Sequence, residues 1–337
     1  MIFEAPRFWW KKKSVLSCLF SPASSLYGAI AKHNINRQAP LIALPLLCVG
    51  NFTLGGTGKT PTVIALAKAA KQNGLKAGII TRGFGAKIKT THIVDYLKDT
   101  AQEVGDEALL LSKHAPVAIG NDRFASAQNL QKLGCNFIIM DDGFQSRHLL
   151  PDYSLLVVDG LRGLGNGKVF PAGPLRAPLQ SQLAYTDEIL IIGKSEDENK
   201  SVSAFNALTK KPVSQAFLKP FSNMDFSPQT KFFAFAGIGN PQKFHHSIVQ
   251  LGGEVKNKQN FPDHYFFKNT DLKKIASICH EQNLIPATTA KDFVRIVSQQ
   301  QTEIMKNLIV FDVCVNFNEN DFCKKLIDKT LFKFANR

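Results

Sequence analysis

Residues 50–61 read Gly-Asn-Phe-Thr-Leu-Gly-Gly-Thr-Gly-Lys-Thr-Pro, after an apolar run at 44–49 and before a pattern of helical spacing at 63–70. A strand, a glycine-rich turn and a helix in that order leave few folds open, because this is the setting a phosphate-binding loop needs. Successive backbone N–H groups and the helix N-terminus form a cradle for an anion there. The predicted nucleotide site is Thr53, Leu54, Gly55, Gly56, Thr57, Gly58, Lys59, Thr60 and Pro61. Lys59 has the reach for β- and γ-phosphates, and the Thr60 hydroxyl suits Mg²⁺. The usual pattern places a glycine five residues before Gly58, where this chain has Thr53; Gly55 and Gly56 supply the turn instead. The loop predicts nucleoside triphosphate binding.

A chain of 337 residues buries a full core and is expected to form more than one domain. Its 41 lysines and arginines against 27 acids give a net charge of +14, which predicts an acidic partner. The six cysteines show no Cys-x-x-Cys spacing, which argues against a zinc site and for reduced thiols in a cytosolic compartment. No apolar stretch reaches the roughly 18 to 20 residues of a spanning helix. Both tryptophans stand in Phe8-Trp9-Trp10-Lys11-Lys12-Lys13, with Val15, Leu16, Leu19, Phe20, Leu26, Tyr27 and Ile30 following. Pro22 and the interrupting serines fit a signal peptide poorly. Aromatic rings beside lysines suit an anionic headgroup layer, so residues 1–38 are expected to form an amphipathic, membrane-associating segment.

Beyond the loop, strand patterns at 77–81, 117–119, 137–140, 155–158 and 189–192 alternate with helical ones at 106–114 and 121–133. This predicts an α/β fold: a P-loop NTPase-type, mostly parallel sheet with helices on both faces. The pattern weakens from Ser195 to Thr230, where Glu196-Asp197-Glu198 and several prolines and serines occur. A second alternation follows, with strands near 232–236, 286–289 and 308–313 and helices near 242–250 and 271–282. The expected organisation is a kinase-like core over 39–225 and a smaller C-terminal α/β lobe over 226–337. The Gly/Pro-rich stretch at 160–178 is long enough to be functional.

Phe137-Ile138-Ile139-Met140-Asp141-Asp142 has the form of a Walker B strand, whose terminal carboxylates hold Mg²⁺ opposite Thr60. Arg123 and Arg176 are candidate clamps for phosphate oxygens. Asp106 stands at an expected helix start, and His264 follows Asp263, a neighbour that can orient a proton carrier.

Taken in order, these segments resemble one family. They are residues 51–61, Thr81-Arg82-Gly83-Phe84-Gly85, residues 104–107, Asp122-Arg123, Asp141-Asp142-Gly143-Phe144-Gln145, Gly165-Asn166-Gly167, Pro171-Ala172-Gly173-Pro174-Leu175-Arg176 and residues 261–264. The resemblance is to the tetraacyldisaccharide 4′-kinases of Gram-negative bacteria and covers about 8–291. It implies transfer of the γ-phosphate of ATP, with Mg²⁺, to the 4′-hydroxyl of a tetraacylated disaccharide 1-phosphate at the cytoplasmic face of the inner membrane. It implies an Asp106–His264 base with Lys59 in catalysis, and substrate contacts from Arg82, Arg123, Gln145 and Arg176. Partners would be the lipid acceptor and an anionic membrane surface, with no nucleic acid and no obligate protein partner. The chain departs from the family pattern at Ser146, Ala177 and Ala290. The competing reading is an assembly or metal-delivery ATPase or GTPase of the Gly-Gly-x-Gly-Lys-Thr type. Leu54 stands where those proteins carry a signature lysine, and no guanine-specific Asn-Lys-x-Asp is present.

Overall fold

The computed structural model describes residues 5–11, 13–193, 203, 205–297 and 303–337. Lys12 and the acidic run at 196–198 lie outside the described residues. The strands are β1 Leu46–Gly50, β2 Ala77–Thr81, β3 His92–Ile93, β4 Val117–Ile119, β5 Phe137–Asp141 and β6 Tyr153–Asp159. They continue with β7 Glu188–Ile192, β8 Val213–Ser222, β9 Lys231–Ala236, β10 Glu254–Asn260, β11 Ile285–Thr289 and β12 Ile309–Phe317. Among the described residues these form one twelve-stranded sheet of order β10-β9-β11-β12-β8-β7-β6-β1-β5-β2-β4-β3.

Every pairing in that sheet is parallel except β3 with β4 and β8 with β12. β1 and β5 are buried along their whole length, which is why they read as unbroken apolar runs in the sequence. Alternate residues serve opposite faces. Leu47, Val49 and Ile139 pack with Val63 and Leu66 on one side. Leu46, Cys48, Ile138 and Met140 pack with Ile35 and Leu130 on the other. The first of these apolar clusters extends without a break to Phe235, Phe267, Leu272 and Val294. Residues 39–225 and 226–337 thus share one sheet and one core layer, joined by the antiparallel pairing of β8 and β12.

β1 lies between β5 and β6. Loops at the carboxyl ends of β1 and β5 therefore open side by side, the position where open α/β sheets bind ligands. The helix Lys59–Gln72 follows the first loop. The helix Arg123–Lys132 is capped by Asp122, whose side chain accepts from Ala125 N, and Gly134 ends it at a φ of 81°.

The N-terminal segment is helical as expected, with a 3₁₀ turn at Arg7–Trp10 and helices Val15–Leu19 and Ser21–Ile35. Its orientation corrects the sequence reading. Trp9 is only 6% exposed; its Nε1 donates to Pro171 O at 2.9 Å and its ring meets Phe170 edge-on. An indole with both an acceptor for its N–H and a covering ring is satisfied in the interior. Trp10 is half-buried under the Arg162 guanidinium, 5.1 Å from the ring centroid. Among the described residues of the segment, the exposed large apolar side chains are Val15, Leu16, Leu19, Phe20, Leu26, Tyr27 and Ile30. Trp9→Ala is expected to weaken docking of residues 5–35 by roughly 3 kcal/mol. Amide exchange should then quicken through that segment while protection in β1, β5 and β6 stays unchanged.

Candidate active site

The phosphate loop is shaped by its neighbours. Gly58 has a φ of 93°, a left-handed backbone that glycine adopts without strain, and a Cβ there would also have to displace Ile192 Cδ1, 2.7 Å away. Thr53 instead forms an antiparallel bridge with Leu175, an extended geometry open to any residue, which explains why no glycine is needed there. Leu54 N donates to Pro174 O at 2.8 Å and Arg176 N to Phe52 O at 2.9 Å. The 160–178 stretch is therefore a brace for the nucleotide loop. Gln145 braces it too, its amide nitrogen donating to Asn51 O at 2.6 Å and to Gln182 Oε1 at 3.1 Å.

Two carboxylates close the end of β5 in different states. Asp142, at a left-handed φ of 54°, takes Arg176 Nη1 at 2.9 Å and Lys59 Nζ at 3.5 Å. Burial opposes its charge, but these two cations hold its pKa below the ordinary value. Asp141 is buried, and its Oδ1 has no hydrogen-bond partner. Burial, with Glu107 nearby, pushes its pKa up to about 7. A buried carboxylate oxygen left unpaired, within the field of the Lys59 charge, is the donor a divalent cation would complete. Mg²⁺ needs only one or two such carboxylates beside phosphate oxygens, and among the described residues no group of three or more His, Cys, Asp or Glu is arranged to hold a metal ion by itself.

The second centre joins residues far apart in the chain. His264 Nδ1 lies 3.0 Å from Asp106 Oδ2, across 158 residues of sequence. Asp106 opens the helix Asp106–Ser112 after Gly105, whose φ is 89° and whose Cβ would strike Phe84 O at 2.7 Å. Phe84 itself is exposed, and its ring lies 5.5 Å from the His264 ring. Burial would raise the Asp106 pKa, but His264 and Arg295 together hold it well below the carboxylate range. The same hydrogen bond raises the His264 pKa. Lys291 Nζ reaches Glu107 Oε1 at 2.6 Å, and Glu107 in turn acts on Asp141, so the two centres are electrostatically contiguous.

Among the predicted substrate residues, Arg176 is drawn to Asp142 and Gln145 to the loop. Arg123 is buried, with Nη1 unpartnered, and senses both Asp141 and the exposed Arg82. Ser146, one of the departures, donates to Gly143 O, and Ala177 and Ala290 are buried. Arg295, Asp292 and Lys291 were not among the candidates. The helix Ala290–Val297 places Asp292 and Arg295 three residues apart, with Phe293 and Val294 between them and Ile296 and Val297 after, and both are buried. That charge pair inside an apolar run was the available signal.

The fold and its loop define a phosphate-loop protein with a carboxylate–imidazole pair beside the nucleotide cradle. The profile described as tetraacyldisaccharide-1-P 4′-kinase matches residues 16–331. A tetraacyldisaccharide 4′-kinase of Bartonella tribocorum is 50% identical over 337 residues, covering 100% of this chain and 97% of the relative. The enzyme of the same name from Brucella anthropi is 46% identical over 340 residues, covering 100% and 99%. The crystal structure of LpxK from Aquifex aeolicus in complex with ATP is 28% identical with a TM-score of 0.72, covering 94% of this chain and 99% of that one. The chain belongs to the tetraacyldisaccharide-1-P 4′-kinase family.

The state of Asp141 has a consequence for stability. With its folded pKa near 7 and an unfolded value near 3.8, the folded protein binds the extra proton between those pH values, so stability falls as pH rises through them. Asp141→Asn should therefore stabilise the ligand-free protein, by on the order of 5 °C in Tm at pH 8. The gain should shrink toward zero near pH 4. Calorimetry across pH 4–8 measures it, and a pH-independent loss of Tm would contradict the burial penalty.

Proposed function

We propose that the protein transfers the γ-phosphate of ATP to the 4′-hydroxyl of a tetraacyldisaccharide 1-phosphate in lipid A biosynthesis. The observation that carries this reading is the His264–Asp106 hydrogen bond beside a complete phosphate loop, in a chain of this family. The backbone from Gly55 to Thr60 cradles the phosphate chain, and Lys59 neutralises the charge that grows on it. Thr60 and Asp141 would hold Mg²⁺, with Asp142 beside them. When bound, the cation draws charge off the β- and γ-phosphate oxygens. Arg176 and Arg123 supply further positive charge to the cleft, Arg82 lies at its rim, and Gln145 keeps the loop in place.

The acceptor hydroxyl is a weak nucleophile at neutral pH, so a positioned base takes its proton as the bond to phosphorus forms. Asp106 and His264 serve as that base, acting as one unit. The acceptor and its acyl chains approach from an anionic membrane surface at the cytoplasmic face of the inner membrane. Support for this comes from the exposed row Val15, Leu16, Leu19, Leu26 and Ile30 beside the N-terminal lysines. Among the described residues no helix is long and apolar enough to cross a membrane.

Purified protein with labelled ATP should pass label to a tetraacyl disaccharide 1-phosphate, and ATP turnover without dependence on the lipid would favour the ATPase alternative. Lys59→Ala should cut transfer by roughly three orders of magnitude or more. Asp106→Ala, His264→Ala and the double variant should share a similarly low kcat with ATP binding intact, because residues acting as a unit do not lose activity additively. Leu16→Ser with Leu19→Ser and Leu26→Ser should release the protein from anionic vesicles. Salt should release it as well, since basic residues at such a surface contribute roughly 1 kcal/mol each.

A further inference from the structure

We propose that residues 5–35 belong to the nucleotide site. They position the phosphate loop through the 165–176 loop, so docking of this segment and binding of ATP strengthen one another. Trp9, Ser17 and Ser24 are then positioning residues, a role that rests on the nucleotide reading above.

Two sets of contacts meet on the 165–176 loop. From the N-terminal side, Trp9 Nε1 donates to Pro171 O at 2.9 Å and Ser17 Oγ to Ala172 O at 2.8 Å. Ser24 Oγ donates to Val169 O at 2.5 Å and accepts Ala172 N at 2.9 Å. Phe170 meets the Trp9 ring at 6.0 Å and the Tyr27 ring at 5.3 Å, centroid to centroid. Toward the nucleotide, Leu54 N donates to Pro174 O, Thr53 bridges Leu175, and Arg176 Nε donates to Thr53 O at 3.2 Å. Arg176 also holds Asp142, which pairs with Lys59. Gly173 alone separates Ala172, bonded to the N-terminal segment, from Pro174, bonded to the phosphate loop.

The loop transmits position because it is folded on itself and closely packed. Phe170 N donates to Leu175 O at 2.9 Å, Leu175 N to Lys168 O at 3.0 Å and Gly173 N to Val169 O at 3.0 Å. Gly165 sits between the two sides: a Cβ there would lie 2.7 Å from Trp9 O and 2.6 Å from Pro174 Cγ. No methyl group fits between the N-terminal turn and the proline that receives Leu54 N. The helix Ser21–Ile35 turns Ser24 and Gly28, four residues apart, toward this loop and Pro178, and Leu26 and Ile30 toward solvent. One face of the helix thus serves a membrane while the other holds the brace.

If the segment lifts away, Pro171 O loses Trp9 as its donor and Ala172 N, on a buried residue, loses Ser24 as its acceptor. A buried backbone group left unpaired costs more than the net gain of pairing it, so the loop opens to water rather than keep its shape. Pro174 and Arg176 then cease to fix Leu54, Thr53 and Asp142, and the cradle from Gly55 to Thr60 loses its support. ATP acts from the other end, because phosphates held in the cradle favour the braced form of the loop. Linkage makes the two effects equal. The factor by which docking raises ATP affinity is the factor by which ATP favours docking.

The test is calorimetric titration of the full-length protein with ATP and Mg²⁺ in the absence of lipid, together with amide exchange with and without ATP. In the wild type, saturating ATP should slow exchange over residues 5–35. Ser17→Ala with Ser24→Ala should raise the Kd for ATP roughly 5- to 20-fold and quicken exchange both over 5–35 and at Leu54. Ser24→Thr, which keeps the hydroxyl, should bind ATP close to the wild-type level. Ser25→Ala is the control: its exposed hydroxyl donates to Ser21 O on the same helix, and its loss should leave the Kd unchanged. Wild-type exchange over 5–35 that ATP does not alter overturns the linkage, and that measurement needs no variant to fold. A double variant with a loosened segment and the wild-type Kd overturns it as well, as does an equal loss of affinity in Ser25→Ala. A wild type that binds no ATP instead defeats the nucleotide reading, while exchange at Leu54 in the double variant still decides whether the segment positions the loop.

Discussion

A carboxylate removed from water needs partners, and Asp106 finds its own at the far end of the chain. Burial alone favours its neutral form, yet the guanidinium of Arg295 and the ring of His264 keep it ionised. These partners stand 189 and 158 residues further along the chain. Removing one member of such a set leaves an uncompensated buried charge, which is far costlier than the modest net gain of forming the pair. The electrostatics of this one side chain thus tie the β9–β12 portion of the sheet to the nucleotide loop. Lys291 and Glu107 make a second tie a single residue away.

The nucleotide half was the most legible in sequence because its physics is local. Inner parallel strands are apolar throughout, the helix Arg123–Lys132 has an Asp cap and a closing Gly, and the glycines of the loop are spaced by the turn itself. β8 and β10 were not legible. β10 reads Glu-Val-Lys-Asn-Lys-Gln-Asn and is exposed at every second residue, as an edge strand with lysines is. β8 lies where prolines and serines obscure any periodicity. Its identity is settled by partners on both sides, β7 and β12.

At the site, sequence pattern brought forward the residues whose spacing carries the signal, Lys59, Thr60, Asp141 and Asp142 among them. It brought forward Asp106 and His264 through the family resemblance. It did not bring forward Arg295: the spacing of Asp292 and Arg295 on one helix hinted at a local charge pair, but the partner Asp106 lies 189 residues away. It also placed Trp9 outward, because aromatic rings beside lysines say nothing of a carbonyl at Pro171 waiting 162 residues away. Local rules fail where a side chain's decisive neighbour is distant in sequence.

The join between β8 and β12 bears on the order in which the protein can be completed during synthesis. β8 emerges at Val213–Ser222 and pairs at once with β7, but its other edge is matched only by β12 at Ile309–Phe317. The helix Phe322–Ala335 comes later still. It places Leu326 and Ile327 in the same apolar layer as Leu47 and sets Lys329 on Glu188 at 2.7 Å. The nucleotide half therefore waits on the ribosome with one sheet edge open and part of its core uncovered. Such a species invites pairing with other chains. A protein built this way depends on its late-made residues to protect its early-made ones.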